Sequence, residues 1–476
     1  MPALKIRTIH DQEIVLEPSQ VEGLASSLRG DVVTPDSPEY DGARSIWNAM
    51  IDRRPALIAR CAGVADILEA VRFARQHRLL VSVRGGGHNI AGSALADGAL
   101  LIDLSRMRSV RVDPQTRTAR VEPGATLADF DHEAQAFGLV TPLGINSTTG
   151  VAGLALGGGF GWTSRRYGLT SDNLLSADVV TADGELRRAS ETENPDLFWA
   201  IRGGGGNFGI VASFEFRVHP LGPSVLSGLV VHPFSDARSV LRQYRGITAR
   251  APEELTCWVV LRKAPPLPFL PAEWHGKEVV VLALAYAGDP KDGELVAEPI
   301  RAVGHPIADV VGVNPFTAWQ KAFDPLLVPG ARNYWKSHDL AALSDGAIDT
   351  ILDFAARLPS PHCETFIGHL GGAVNRVRPE ATAFSRREAE FVVNVHGRWD
   401  TAAEDAAGIA WCRDLFNALT PHATGGVYVN FMTADESDRV RAAYGANYDR
   451  LVELKARYDP ENVFRSNQNI HPAVHA

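Results

Sequence analysis

The chain has 476 residues, of which 45% are hydrophobic and 22% are charged, an ordinary globular composition that excludes a disordered or fibrous protein. This length predicts about two to three domains. The formal net charge of −9 gives no reason to expect nucleic-acid binding, which usually requires a basic patch. No apolar run reaches the roughly 18 residues that a membrane helix needs, so we expect no membrane partner.

Two features bear on the cellular compartment. The first residues, Met1 to Arg7, are followed by polar residues and lack the apolar core of a signal peptide. Four cysteines are scattered without Cys-x-x-Cys spacing: Cys61, Cys257, Cys363 and Cys412. We therefore expect a cytoplasmic protein with reduced, mostly buried thiols and no metal site.

Periodicity predicts the elements of the first half of the chain. Apolar residues at 64, 67, 68 and 71 follow helical spacing, and a strand, a glycine loop (84–89) and a second strand come next. We expect the following further elements in chain order: a hairpin over 110–121, a helix from the capping pair Thr126 and Asp129 to Gly138, a short helix from Asn194-Pro195 to Arg202, and a buried strand over 277–286.

The sequence texture changes at about Leu221, where glycine clusters vanish and longer amphipathic stretches begin. After Gly425-Gly426 we predict a strand over 427–431 and a helix from about Glu436 to Tyr458. The Asp459-Pro460 pair would end that helix.

Three glycine-rich stretches, at 85–87, 150–161 and 203–209, point to a ligand. Glycine lets the backbone approach a ligand closely, and successive N–H groups in such turns bind anions such as phosphate. A single cluster could be only a tight turn. Three clusters within about 125 residues predict a large cofactor that carries phosphates and lies along the loops.

Two known glycine motifs, the Rossmann and Walker motifs, do not fit this sequence. Gly204-x-Gly206-x-x-Gly209 matches the Rossmann string, but that motif must follow a strand and open a helix. Here it follows a predicted helix and opens the alternating strand 210–216. No Gly-Lys-Ser/Thr ending is present for a Walker loop. The interpretation that remains is a nucleotide cofactor bound by loops.

At this point the sequence resembles the berberine-bridge-enzyme-like FAD-linked oxidases of the vanillyl-alcohol oxidase/PCMH superfamily, and among these the bacterial members. The segments that carry the resemblance, in family order, are 84–92 (RGGGHNIAG), 147–154 (STTGVAGL) with Gly157 to Gly159, 205–211 (GGNFGIV), Tyr428-x-Asn430-Phe431, and 458–469 (YDPENVFRSNQN).

The resemblance implies an α+β fold in three segments. Residues 1–220 would form a two-part PCMH-type FAD-binding domain, with its core at about 55–220. Residues 221–425 would form a substrate domain, an antiparallel sheet backed by helices. Residues 426–476 would return to the FAD-binding domain.

The resemblance also implies that His88 forms a covalent bond to the flavin. Without the resemblance, the alternative is a loop histidine that forms a hydrogen bond to the backbone. A neutral imidazole is a suitable nucleophile for such a link. Many relatives carry a second link from a cysteine at the position of Asn146, and asparagine cannot form a thioether. We therefore expect one covalent attachment, with more room above the flavin.

The remaining implied cofactor contacts come from several separate segments. Residues 84–89 and 148–153 would cradle the pyrophosphate and ribityl chain, residues 205–211 the adenosine half or the adjoining diphosphate, and Asn467 the pyrimidine edge. Thr149 occupies the position that influences oxygen access, although ordinary loop packing would also explain it. The implied cofactor residues other than His88 are Arg84, Gly85, Gly86, Gly87, Asn89, Asn146, Thr148, Thr149, Gly150, Gly153, Gly158, Gly159, Asn207, Gly209, Ile210, Val211, Tyr428, Asn430 and Asn467.

Oxidation of an alcohol or amine needs a base, and the candidates are Tyr428, Glu364 and His369. Relatives often have a tyrosine where Phe431 stands, and in some of them it acts as the base, so that role cannot be transferred. On the predicted strand, Tyr428 and Asn430 would share one face and Phe431 would point away. On a strand over 363–372, Glu364 and His369 fall on opposite faces, which leaves one of them facing the substrate. A structural hydrogen-bonding role remains an alternative for both.

The predicted activity is an FAD-dependent oxidase. Hydride would pass from a small alcohol, sugar or amine to flavin N5, and molecular oxygen would then form hydrogen peroxide. The alternatives are a flavin dehydrogenase with another electron acceptor and a catalytically silent flavoprotein that binds a metabolite. We expect a monomer or homodimer.

Overall fold

The computed structural model describes residues 3–473. Met1 and Pro2 of the expected N-terminal domain, and residues 474–476 of the expected C-terminal segment, lie outside this range. The described residues form strands β1 Leu4–Arg7, β2 Glu13–Leu16, β3 Asp31–Val33, β4 Leu57–Arg60, β5 Val81–Arg84, β6 Leu100–Asp103, β7 Val110–Asp113, β8 Thr118–Val121, β9 Leu139–Val140, β10 Leu174–Val180, β11 Leu186–Ser190, β12 Ile210–Arg217, β13 His219–Pro220, β14 Ser224–Pro233, β15 Leu255–Lys263, β16 Glu278–Tyr286, β17 Ala308–Asp309, β18 Gly312–Pro315, β19 Arg332–Leu340, β20 Glu364–His369 and β21 Phe391–Trp399.

Helices lie between and after these strands. Their bounds are α1 Pro18–Ser27, α2 Tyr40–Ala43, α3 Val64–Gln76, α4 Leu127–Gln135, α5 Val151–Leu156, α6 Ser164–Tyr167, α7 Pro195–Ile201, α8 Ala237–Thr248, α9 Pro290–Arg301, α10 Phe316–Gln320, α11 Asp345–Ala355, α12 Ala373–Arg376, α13 Asp405–Leu419, α14 Val440–Tyr444 and α15 Tyr448–Tyr458. In the described residues, no helix is long and apolar enough to cross a membrane.

The N-terminal half contains two larger sheets, besides the two-stranded sheets β1-β2 and β13-β9. One has the order β3-β4-β6-β5, in which β6 runs parallel to both β4 and β5. The other has the order β11-β10-β12-β8-β7 and is antiparallel. Helix α3 buries Ile67, Ala70 and Val71 in the same core as the first sheet, as its apolar spacing predicts.

A large antiparallel sheet dominates residues 224–399, in the order β17-β14-β16-β15-β20-β21-β19 with β18 also paired to β14. In β16, Val280 and Leu282 pack into the core that contains residues of α8, α9, α11 and α13. Ala283 and Ala285 pack on the opposite side, in a cluster rich in aromatic rings. Both faces of the strand are therefore covered, which explains its continuous apolar run. The fold is α+β, as predicted.

Several predicted elements are confirmed. The β7–β8 hairpin forms, Thr126 and Asp129 make a reciprocal capping box on α4, and Gly138 follows that helix with φ of 63°. The glycine string 204–209 follows α7 and opens β12, so it does not have the Rossmann context. All four cysteines are free and buried.

Three local predictions are wrong. Asn194 holds the N-cap position of α7, but its side chain does not cap the helix as its residue type predicts and instead donates to the Arg188 carbonyl oxygen at 2.7 Å. Residues 427–431 do not form a strand: Val429–Phe431 is a 3-10 turn in which the Phe431 N–H donates to the Tyr428 carbonyl. The helix predicted from Glu436 is interrupted, because Gly445 adopts φ of 54° and separates α14 from α15.

Candidate active site

A cavity of about 360 Å³ lies between the glycine loops and one face of the large sheet. On the loop side it is lined by residues 85–89, 144–146, 149–150, 152–154, 205–207, 209–211, 428–431 and 466–468. On the sheet side it is lined by Trp258, Trp335, Glu364, Phe366, Asn394 and His396. Trp47 and Leu327 also contribute. Segments far apart in the chain therefore meet at one site.

Two of the glycine loops touch through their backbones. A Cβ atom on Gly86 would lie 2.4 Å from the nitrogen of Gly150, and one on Gly150 would lie 2.6 Å from the nitrogen of Gly86. Neither position can carry a side chain unless the loops separate. The loops at 85–87 and 149–150 thus form one continuous wall whose surface is mostly backbone.

A buried ion pair fixes the start of the first loop. Arg84 and Asp103 are register partners at the ends of the parallel strands β5 and β6, and Arg84 Nη2 lies 2.6 Å from Asp103 Oδ2. The guanidinium also donates to the carbonyl oxygens of Ala43 and Ser45. Its side chain therefore supports the loop from behind, and Arg84 does not line the cavity.

His88 faces the cavity at the end of this loop. Its ring stacks on Trp47 with 5.0 Å between centroids, and its Nε2 lies 2.9 Å from Thr148 Oγ1. The Thr148 hydroxyl donates its single proton to Asn146 Oδ1 at 2.7 Å. It can therefore only accept from His88, which puts the imidazole proton on Nε2 and leaves the lone pair on Nδ1. Burial lowers the His88 pKa to about 4, so the ring is neutral at pH 7.

The turn at 428–431 places one tyrosine at the meeting point of two loops. The Tyr428 hydroxyl oxygen accepts hydrogen bonds from the Gly159 N–H at 3.1 Å and from Asn430 Nδ2 at 2.9 Å. Burial raises the Tyr428 pKa to about 12. Because the turn is not a strand, the Phe431 ring meets the Tyr428 ring edge-on, with 4.8 Å between centroids, and it also lines the cavity. The expectation that Phe431 points away is wrong.

Charged and aromatic side chains form a row across four strands of the large sheet. Arg262 is the register partner of Glu364, Glu364 of His396, and His396 of Trp335. The Arg262 Nη1 lies 2.9 Å from Glu364 Oε2, and His396 Nδ1 lies 3.2 Å from Glu364 Oε1. Glu364, His396 and Trp335 line the cavity, so the sheet presents this row to a ligand.

His369 lies outside the cavity. Its Nε2 is 2.8 Å from Arg165 Nη1, and its ring stacks on Phe391. Burial, followed by the charge of Arg165, lowers its pKa to about 3. As a candidate base it is therefore misplaced, whereas Glu364, on the other face of β20, does reach the cavity.

The structure brings most of the expected cofactor residues together. Those that line the cavity are Gly85, Gly86, Gly87, His88, Asn89, Asn146, Thr149, Gly150, Gly153, Asn207, Gly209, Ile210, Val211, Tyr428, Asn430 and Asn467. Four others do not line it: Arg84, Thr148, Gly158 and Gly159. Thr148 and Gly159 instead hold His88 and Tyr428 through hydrogen bonds, and the ring of Phe384 packs at Gly158.

Residues 55–190 match the family model described as "FAD binding domain", and residues 427–471 match "Berberine and berberine like". An FAD-linked oxidoreductase of Dictyostelium discoideum is 32% identical over 459 residues, covering 95% of this chain and 97% of that protein. The chain belongs to the berberine-bridge-enzyme-like family of FAD-linked oxidoreductases.

Two other relatives carry more specific names. The (R)-6-hydroxynicotine oxidase of Paenarthrobacter nicotinovorans is 30% identical over 94% of this chain and 97% of its own length. The crystal structure of a xylooligosaccharide oxidase from Myceliophthora thermophila, in complex with xylobiose, has a TM-score of 0.83 at 28% identity, covering 96% of this chain and all of that one.

The residues of this family member fit FAD. Added Cβ atoms at Gly153 and Gly206 would meet no described atom within 4 Å, so both glycines present bare backbone to the cavity. The side-chain oxygen of Asn467, also at the cavity, is buried and has no hydrogen-bond partner among the described residues. Such a polar group requires a ligand or water. FAD bound in this cradle would supply a two-electron acceptor.

Sequence reasoning missed several aromatic and polar residues that line the cavity. Trp47, Trp258, Asn394 and His396 line the cavity and belong to no motif. One signal was available for His396: the alternation of β21 places it on the same face as Asn394, with the core residue Val395 opposite. For Trp47, in a stretch without periodicity, the sequence offers no comparable signal.

Proposed function

We propose that this protein is an FAD-dependent oxidase with a single covalent bond from His88 to its flavin, oxidising a small alcohol, sugar or amine and producing hydrogen peroxide. One observation carries the covalent link: the Asn146–Thr148–His88 chain leaves the Nδ1 lone pair of a neutral imidazole free at the cavity. That nitrogen is the nucleophile that a bond to carbon requires.

A single attachment follows from Asn146. Its side-chain oxygen is occupied by the Thr148 hydroxyl and N–H, and its amide nitrogen lies 3.4 Å from the Leu327 carbonyl oxygen. Asn146 therefore orients His88 through Thr148 and has no group that could form a second covalent bond.

The glycine wall serves the phosphates and the ribityl chain in this proposal. Gly86, Gly87, Gly150 and Gly153 line the cavity without side chains, so their backbone can approach these groups closely. We assign residues 205–211 to the adenosine half or the adjoining diphosphate, Asn467 to the pyrimidine edge, and Thr149 to the approach of oxygen.

The substrate class rests on the composition of the opposite wall. Trp258, Trp335 and Phe366 offer flat apolar surfaces, and Asn394 and His396 offer polar groups. Aromatic walls with a few convergent polar groups suit small organic ligands, including sugar rings and heterocycles. The names of the two relatives, a hydroxynicotine oxidase and a xylooligosaccharide oxidase, fall in these classes.

Acid precipitation of the purified holoenzyme tests the covalent bond. We expect yellow colour to remain in the wild-type pellet and to pass into the supernatant for His88→Ala. The matched control is His219→Ala, because His219 stacks on Tyr167 and does not line the cavity. A colourless wild-type pellet would refute the attachment.

The oxidase assignment is tested by anaerobic reduction with a panel of secondary alcohols, xylobiose and N-heterocyclic amines. The reduced protein is then mixed with air-saturated buffer. We expect reoxidation within seconds and about one hydrogen peroxide per flavin, since the balance of the two-electron reaction requires it. Flavin that stays reduced for minutes would favour the dehydrogenase instead.

A further inference from the structure

The row of cross-strand partners on the sheet wall includes three residues that can take part in acid–base chemistry. Arg262, Glu364 and His396 are successive register partners on β15, β20 and β21. All three side chains are buried, with exposed fractions of 9%, 9% and 5%. Charged groups are buried in this way only when they are paired.

Glu364 itself is poorly suited to take a proton. One carboxylate oxygen lies 2.9 Å from Arg262 Nη1, and the other lies 3.2 Å from His396 Nδ1. Burial raises the Glu364 pKa, but the charge of Arg262 and the contact with His396 outweigh this and hold the pKa at about 2. A carboxylate that is ionised down to such a pH is a weak base with no free oxygen.

His396 has the free nitrogen that Glu364 lacks. Its Nδ1 is engaged by Glu364, and its Nε2 is buried without a hydrogen-bond partner among the described residues. Burial lowers the His396 pKa more than the neighbouring carboxylate raises it, so the ring is neutral at pH 7. A neutral imidazole that donates Nδ1–H to a carboxylate carries its lone pair on Nε2.

Neighbouring groups hold the ring and set its charge environment. The Trp335 ring meets the His396 ring edge-on at 4.3 Å between centroids. The charged groups that act on His396 are Glu364 from β20, Arg262 from β15 and Arg398 from β21 itself. Because two guanidinium groups and one carboxylate surround the His396 ring, its environment is not net negative. A net negative environment would favour the protonated ring.

The other candidates around the cavity are less suitable. The Tyr428 hydroxyl oxygen already accepts two hydrogen bonds, and burial raises its pKa to about 12. Phe431 has no proton acceptor, and His369 is held by Arg165 outside the cavity.

From this geometry we propose that His396 Nε2 is the general base of the oxidation, with Glu364 as a positioning residue that Arg262 holds in place. The inference rests on the proposed function. The substrate O–H or N–H bond breaks, its proton goes to Nε2, and its electron pair becomes the second bond to carbon. The C–H bond gives up its hydrogen with both electrons to the FAD named above as oxidant.

The kinetic test is the rate of anaerobic flavin reduction by the most reactive compound of the panel, measured against pH. We expect His396→Gln to lower this rate by about 10²–10⁴-fold, the usual contribution of a general base. Glu364→Gln should lower it less and should move the acid limb of the profile to lower pH, because the imidazolium loses its carboxylate partner. The control His369→Gln should stay within about twofold of wild type.

A second measurement is independent of turnover. Ring-nitrogen NMR of holoenzyme labelled only at histidine reports tautomer and charge, and His396→Gln identifies the resonances of His396. We expect a neutral ring at pH 7 with its proton on Nδ1, and a downfield N–H signal that moves in Glu364→Gln. A charged ring, or the proton on Nε2, would overturn the proposal.

The outcomes separate the two proposals. If no panel compound reduces the wild-type flavin, the proposed function fails, and the NMR result still decides the state of His396. If the wild-type flavin is reduced and His396→Gln reduces equally fast with retained flavin and thermal stability, the base assignment alone is wrong. A uniform loss of flavin in the variants is recognised by absorbance, and His396→Asn then provides the smaller second variant.

Discussion

The two walls of the cavity, the loop wall formed by the glycine loops and the sheet wall formed by strands of the large sheet, present different chemical groups. The loop wall offers backbone from Gly86, Gly150, Gly153 and Gly206, which the structure keeps free of side chains. The sheet wall offers side chains, such as Glu364 and His396, that adjacent strands align in rows.

This difference predicts which substitutions each wall tolerates. A backbone cradle tolerates few substitutions, because each glycine is fixed by contact with another loop or with the ligand. A row of cross-strand side chains can change one residue at a time while the sheet stays intact. We therefore expect variants of the loop wall to affect flavin content and folding, and variants of the sheet wall to affect turnover.

Gly86→Ala should have the largest effect. Its Cβ would lie 2.4 Å from the Gly150 nitrogen, a backbone atom that cannot move aside without parting the two loops. We expect little soluble protein, and the soluble fraction should lack flavin in its absorption spectrum. The control is Gly246→Ala in α8, where a Cβ would meet no described atom within 4 Å. Full flavin content in Gly86→Ala would disprove the importance of this contact.

Lys455→Met tests whether the loop wall is also stabilised by a buried side chain. The fully buried Lys455 ammonium donates to Asp459 Oδ2 at 2.6 Å and to the carbonyl oxygens of Asn207 and Phe464. Removing it leaves the buried Asp459 carboxylate without its ion-pair partner, although the N–H groups of Val463 and Phe464 still donate to it; breaking a buried pair in this way destabilises folding by about 3–5 kcal/mol. Chemical unfolding of the variant measures this. The exposed Lys5, paired with Glu13, is the control position, and Lys5→Met should be close to neutral.

The same contrast separates what the sequence predicts from what it does not. The loop wall is encoded locally, because glycine runs such as 85–87 and 203–206 stand out in the sequence. Their convergence on one cavity was predicted from the number of clusters and from the family resemblance, and the structure agrees. Local capping, as at Thr126 and Asp129, was also readable because both partners lie within four residues.

The sheet wall is encoded by register between distant strands. Arg262, Glu364 and His396 lie on three different strands and are more than 30 residues apart in the chain. No local sequence pattern predicts that they align. The mistake at 427–431 has a related cause. Alternating apolar residues predicted a strand, but Tyr428 and Asn430 bond each other and the loop at Gly159, which satisfies the segment as a turn.

His338→Gln tests whether a buried histidine of the large sheet makes the folding stability depend on pH. Burial lowers the pKa of this β19 residue from its ordinary 6.5 to about 4. Between these values the unfolded chain binds the proton and the folded protein does not, so stability falls as pH falls from 7 to 5. The contribution of His338 to this loss is about 2 kcal/mol. Urea unfolding at both pH values should show a smaller loss for His338→Gln, and an unchanged loss would contradict the shift.

Gly153→Ala should produce the smallest effects. It should raise the stability of the apoprotein and weaken the retention of flavin. Gly153 lies inside α5, where alanine stabilises a helix by roughly 0.5–1 kcal/mol, and its Cβ would meet no described atom within 4 Å. The apoprotein should therefore become slightly more stable. If that open space belongs to the cofactor, the same methyl group should weaken flavin retention in the His88→Ala background, where no covalent bond masks the loss. Thermal unfolding of the apoprotein and flavin titration of the double variant measure the two effects. An apoprotein gain with unchanged flavin affinity would place the cofactor elsewhere along the loop wall.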